Sequence, residues 1–322
     1  MLDNFVFSIN AILPVFIMVA LGWVLKNIEF LPESFFDHAD KFVFKIALPC
    51  NLFVSVLKGD VSKLKNALPL MGFIVVGISV FFVLACAVVP LIIKDNGKRG
   101  AFIQGIYRGN FAILGLPIAG NLFPENDIGA TTVAVVMPLA IVAVNVFAVI
   151  ILTVYAPSDV KKKPLETAAN ICLSIVKNPL IISCLLGLVF MLCGISLPTF
   201  AQKTVDGLSD TVFALALMSL GAEFYFSALK GKVGTSLVGA IIKTAVLPLI
   251  AVSVAVLMGF RNVELGVILI FFGAPTAVSS YIMAKNMKSD HEMASQILLI
   301  STLLCMITLF IGIFILKTFK LI

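Results

Sequence analysis

Residues Asn110 to Gly120 read NFAILGLPIAG, and Phe271 to Lys285 read FFGAPTAVSSYIMAK. Each stretch lies inside an apolar run long enough to cross a bilayer, yet each sets a glycine two residues before a proline: Gly115-Leu116-Pro117 and Gly273-Ala274-Pro275. In hydrocarbon every backbone N–H and C=O needs a partner, so a helix-breaking pair is tolerated where protein or a water-filled cavity surrounds it. Two interrupted spans in corresponding positions are the best sequence pointer to a transporter's binding site. The expectation is that these spans cross inside the protein, with Pro117 and Pro275 each opening a second half-helix.

Composition agrees. Of 322 residues 61% are hydrophobic and 12% charged, and mean hydropathy is +1.13; a soluble domain has about 25% charged residues. The opening MLDNFVFSINAILPVF has no basic cluster before its first apolar run, so no cleavable signal peptide is expected and that run reads as the first span. The six cysteines form no C-x-x-C pair and read as apolar packing residues. The net charge of +6 comes from lysines in short loops, which topology and anionic headgroups explain without nucleic acid.

Apolar runs mark ten spans, near 5–25, 42–57, 67–93, 99–122, 130–154, 178–194, 205–229, 233–258, 263–284 and 294–316. Counting Arg99 with its loop, the odd-numbered loops hold 13 Lys and Arg against 7 on the opposite side. The positive-inside rule then puts both termini outside. The polar stretch APSDVKKKPLETAAN divides the chain into residues 1–155, a cytoplasmic linker at 156–170, and residues 171–322. LPVFIMVALGWVL from Leu13 matches NPLIISCLLGLVF from Asn178, with Pro14 and Gly22 answered by Pro179 and Gly187. Because each half has five spans, the second enters from the opposite face, giving an all-α membrane protein built as an inverted-topology repeat.

Helix N-termini attract anions. Thr276, Ser279 and Ser280, at i, i+3 and i+4, would share one helical face beside the second break. Asn110 would lie roughly 10 Å along the axis from Pro117, on a face shared with Tyr107 and Leu114. Asn110, Gly115, Pro117, Pro275, Thr276, Ser279 and Ser280 are therefore the candidate substrate-binding residues. Arg108 and Lys243 fall near the midplane of a ~30 Å core, where charge is costly and usually functional. Either could balance a substrate carboxylate or stand in for a coupling cation. Lys45 reads as a lysine snorkelling to the interface, and Glu223 as a weaker coupling candidate.

Asn-x(4)-Gly-x-Pro in span four, GAPTA in span nine, VKNPLIISCLLGL opening the second half and ALPCNLF in span two together resemble the auxin efflux carrier family. The resemblance covers essentially the whole chain and is to a bacterial member without the long cytoplasmic loop of many plant members. It implies ten helices in two inverted five-helix repeats with crossed broken helices, as in bile-acid symporter and sodium–proton antiporter-type folds. It further implies a scaffold of spans one, two, six and seven, elevator-type alternating access, and Asn110, Pro117 and Pro275 at the substrate site. Bacterial relatives are associated with malate and malonate, so the expected partners are a small carboxylate and the lipid bilayer of the cytoplasmic membrane. No cofactor or metal is expected; H⁺ or Na⁺ as coupling ion, and a homodimer, are left open.

An intramembrane enzyme would need a nucleophile with a base, or a metal cluster, inside the spans, and the only histidines, His38 and His291, lie in loops. A cation–proton antiporter would place acidic residues at the helix crossing. The alternative to a carrier is a non-transporting membrane sensor built on the same fold.

Overall fold

The computed structural model describes residues 2–57, 61–155, 177, 179–222, 224, 229 and 233–322. The 156–170 linker, Glu223 and Cys172 lie outside the described residues. The described chain is helical: α1 (Leu2–Asn27), α2 (Glu33–Phe42), α3 (Leu48–Leu57), α4 (Val61–Ile92), α5 (Asn96–Tyr107), α6 (Phe111–Leu122), α7 (Ile128–Val154), α8 (Pro179–Leu192), α9 (Thr199–Ala222), α10 (Gly234–Ile241), α11 (Leu247–Leu257), α12 (Asn262–Gly273), α13 (Val278–Asn286) and α14 (His291–Thr318). Five stretches are continuous, long and apolar enough to cross a membrane: Leu2–Asn27, Leu68–Ile92, Thr199–Ala222, Gly234–Leu257 and His291–Thr318. Helix α7 makes a sixth, bent by 43° between Met137 and Leu139, where Pro138 removes a ladder hydrogen bond. The chain is thus a multi-pass helical membrane protein.

Two helices widen into single π-turns, Val43–Ala47 between α2 and α3 and Ile242–Val246 between α10 and α11. A Leu-Pro pair follows each, Leu48-Pro49 and Leu247-Pro248. Proline has no N–H for the carbonyl four residues back. The ladder shifts instead to a five-residue step, Leu48 N–H to Val43 O and Leu247 N–H to Ile242 O. Such π-turns occur frequently at functional sites, and each of these carries a lysine, Lys45 or Lys243.

Helices α1, α3, α8 and α9 form one packed group, with α9 against α1, α2 and α3, and α8 against α3. Glycine makes the closest approaches. A Cβ on Gly22 would lie 1.9 Å from Met218 O of α9, and one on Gly221 of α9 would lie 1.8 Å from Val19 O of α1. The two backbones therefore touch reciprocally. Gly187 of α8 sits likewise over α3, its Cβ position 2.9 Å from Phe53 O. Gly22 and Gly187, matched in the sequence halves, thus do the same job against different partners, as small residues do at close helix interfaces in membranes.

Rigid backbone cannot move aside as a flexible side chain does, so Gly22→Ala and Gly221→Ala must part α1 from α9, at the ~1–3 kcal/mol typical of overpacking or more. Thermal unfolding in detergent is expected to show a lower midpoint for both. Gly72→Ala and Gly207→Ala, where a Cβ meets nothing within 4 Å, are expected to keep the wild-type midpoint.

Candidate functional site

The helix breaks fall at Arg108–Asn110, between α5 and α6, and at Ala274–Ala277, between α12 and α13. They cross and pair. Gly109 and Thr276 lie opposite each other in a one-rung antiparallel bridge, flanked by Asn110 N–H to Pro275 O at 2.7 Å and Ala277 N–H to Arg108 O at 3.0 Å. Each donation diverts an N–H from its own helix. Asn110 would otherwise serve Ile106 O, and Ala277 would serve Gly273 O. Leaving the helix at residue 109 also strips Gly105 O of its donor, and the Thr276 hydroxyl replaces it at 2.7 Å. The Thr276 N–H in turn goes to Ser301 Oγ of α14 at 3.0 Å.

This geometry corrects three sequence expectations. Pro117 does not open the second half-helix: it and Gly115 sit inside α6, buried, and the chain breaks seven residues earlier, where pairing with residues 275–277 takes the helix's donors. Asn110 is accordingly at the break itself, as the N-cap residue of α6, and Tyr107 points elsewhere, its hydroxyl donating to Val144 O of α7 at 3.2 Å. Thr276 lies in extended chain ahead of α13, so it shares no helical face with Ser279 and Ser280.

A cavity of about 520 Å³ opens beside the crossing. Arg108, Asn110, Phe111, Phe271 and Ser279 line it from the two broken spans, Asn145 and Val144 from α7, Ala216 and Leu220 from α9, and Asp40, Lys41 and Lys45 from the α2 region. It therefore lies on the boundary between the α1–α3–α8–α9 group and the helices around the crossing. Its wall is mostly apolar, with the Phe111 and Phe271 rings edge to face at 4.7 Å. Lys45, read from sequence as an interfacial lysine, is exposed and also contributes to this wall.

Arg108 caps the C-terminus of α5 and is 6% exposed. Its Nη2 donates to Asn145 Oδ1 at 2.9 Å and its Nη1 lies against the Met283 sulfur. No carboxylate pairs with it among the described residues. The Asn110 Nδ2, in a side chain 5% exposed, has no hydrogen-bond partner. A buried donor left unpaired costs about 1–3 kcal/mol; Asn110, whose Nδ2 is unpaired, and Arg108, which has no acid partner, both line the cavity, and such a lining favours an acceptor carrying negative charge. The N-terminal ends of α6 and α13 flank the same space and add to that preference.

Of the residues singled out from sequence, Arg108, Asn110 and Ser279 meet in the cavity. Gly115, Pro117, Pro275, Thr276, Ser280 and Lys243 are outside its lining. Lys243 is fully buried, donating to Phe272 O at 2.7 Å. Asn145 was missed, although a lone amide within the apolar run IVAVNVFAVI was a signal available for it. No group of His, Cys, Asp or Glu suited to a metal ion occurs among the described residues.

Helices broken at a crossing, with a cavity of this chemistry beside it, define a membrane transporter. A family model described as membrane transport protein matches residues 7–313, and the chain belongs to that family, the one that includes the auxin efflux carriers. It is similar to an uncharacterized transporter of Methanocaldococcus jannaschii, 24% identical over 91% of this chain and 94% of that protein. Another relative, of Rhizobium meliloti, bears the name "Putative malonate transporter" and is 24% identical over 92% of each chain.

Removing the Thr276 hydroxyl strands the Gly105 carbonyl at the crossing. Thr276→Val is expected to lower stability by about 1–3 kcal/mol, read as a drop in the thermal unfolding midpoint. Thr276→Ser, which keeps the hydroxyl, is expected to recover most of it.

Proposed function

We propose that the protein is a secondary carrier of small organic anions, with mono- or dicarboxylates bound in the cavity beside the crossing. The observation that carries this reading is Arg108: a buried guanidinium lining a cavity, held by an amide and a thioether rather than by an acid. A substrate carboxylate completes its partners, accepts from Asn110 Nδ2 and reaches Ser279 at the start of α13. The name of the Rhizobium meliloti relative fits the same chemistry.

In this reading the chain has ten spans in two inverted five-span repeats, residues 1–155 and 171–322, joined by a cytoplasmic linker. Paired breaks and the matched roles of Gly22 and Gly187 support it. The α1–α3–α8–α9 group is the scaffold, and the helices around the crossing carry substrate past it by elevator-type alternating access. Both termini lie outside, the membrane is the bacterial cytoplasmic membrane, and the cavity, reaching Asp40 and Lys41 near the lysine-bearing first loop, faces inward.

Labelled malonate uptake into proteoliposomes tests the reading. Saturable uptake is expected from the wild type. A hydrogen bond to a charged group contributes about 1.5–3 kcal/mol, so Arg108→Gln is expected to weaken apparent affinity roughly 10- to 150-fold, with Asn110→Ala acting in the same direction. Unchanged affinity in both variants, or no uptake of malonate, malate or pyruvate by folded wild type, would overturn it.

A further inference from the structure

Lys243 is the second buried cation, and the cavity does not use it. It projects from the π-turn between α10 and α11 to the C-terminal end of α12, where the break has freed several carbonyls. Phe271 O has lost its helical donor because residue 275 is proline. Phe272 O has lost the Thr276 N–H to Ser301, and Gly273 O has lost the Ala277 N–H to Arg108. The Lys243 ammonium binds Phe272 O at 2.7 Å. A Cβ placed on Gly109 would lie 3.2 Å from Lys243 Nζ and 3.3 Å from Phe271 O. Ammonium and free carbonyls thus close together around the one residue of the bridge that has no side chain.

Unwound carbonyls at the C-terminal end of a half-helix are the ligands that broken-helix transporters offer to Na⁺, and the partial negative charge of the helix terminus adds to the attraction. Here a covalently attached cation already sits on one of them, Phe272 O. Among the described residues no carboxylate pairs with it, so the positive charge is supported by backbone oxygen, as a bound metal ion's would be.

We infer that Lys243 is a tethered cation occupying the place at the α12 terminus that a coupling Na⁺ would take, so that the protein works without Na⁺ and owes that independence to this residue. The inference rests on the carrier reading for its meaning in transport, but its structural content does not require a substrate.

The test is thermal unfolding of the purified full chain in detergent, in NaCl against choline chloride at equal ionic strength, with no carboxylate present. The wild type is expected to melt at the same temperature in both salts. Lys243→Ala leaves the carbonyls uncovered with room for an ion, and is expected to melt lower in choline and to regain several degrees in Na⁺. Lys243→Met fills that room with apolar atoms and is expected to melt lower in both salts alike. Lys243→Arg keeps a cation and is expected to remain insensitive to Na⁺. Na⁺-specific stabilisation of the wild type, or Lys243→Ala melting like the wild type in both salts, would overturn the inference. The wild-type comparison decides even if the alanine variant yields no folded protein. Malonate uptake in the two salts completes the test: a wild-type rate ratio near one is expected, and several-fold stimulation by Na⁺ would overturn the inference. Absent uptake with Na⁺-insensitive melting would overturn the carrier reading and leave the tethered cation standing.

Discussion

A helix interrupted in a low-dielectric medium must find new partners for the backbone groups it frees, and here two interrupted helices supply each other. Asn110 N–H goes to Pro275 O, Ala277 N–H goes to Arg108 O, and the Thr276 hydroxyl covers Gly105 O. Neither break is satisfied alone. A proline is useful at the centre of this exchange because its carbonyl accepts while its nitrogen demands nothing. A glycine fits opposite Thr276 because a Cβ there would come within 3.2 Å of Lys243 Nζ and 3.3 Å of Phe271 O, tighter than ordinary contact. The position of the cavity, the direction of Arg108 and the burial of Lys243 follow from this one-rung bridge.

The bridge also sets the electrostatics. It holds Arg108 on the cavity side and Lys243 behind, and gives each neutral partners: an amide and a thioether for one, a backbone carbonyl for the other. A buried cation without an acid is costly unless its donors are satisfied. At the Lys243 site the ammonium donates to Phe272 O, a carbonyl that the break had already left short of a donor. The Arg108 guanidinium has five N–H donors, and in the proposed carrier those beyond Asn145 and Met283 would be what an incoming anion meets.

Much of this was legible in the sequence, and the misses share a physical origin. Apolar runs gave the helices, and two Gly-x-Pro pairs in spans of equal rank marked which of them break. Where the first one breaks was not legible, because proline inside α6 costs only one ladder bond, whereas the departure at Gly109 depends on donors taken by a segment 165 residues away. Thr276 was placed on a helical face because local spacing contains no record of the extended bridge. Depth alone also gives no sign that the neighbouring helices set Lys45 beside a cavity. Asn145 was visible as a polar residue in an apolar run but had no motif to distinguish it from a helix–helix contact.

Alternating access requires one packed unit that holds its shape and one surface that does not bind it too tightly. The reciprocal contacts of Gly22 and Gly221, with Gly187 over α3, bring backbones together without intervening side chains, leaving little freedom for α1, α3, α8 and α9 to slide on one another. Across the cavity Val43, Phe44, Ala216 and Leu220 face Ala112, Ile113 and Ala140, an apolar stretch of wall whose contacts are non-directional and would be exchanged at small cost if the two surfaces shifted as proposed. The polar groups of the site, Arg108, Asn110, Asn145 and Ser279, all belong to the side that contains the bridge. If the proposed elevator reading holds, a carboxylate bound to them would travel with its ligands intact, while Lys41 and Lys45 on the opposite wall would be left behind. In the proposed carrier those two lysines would act on the anion's approach and release rather than on its transit.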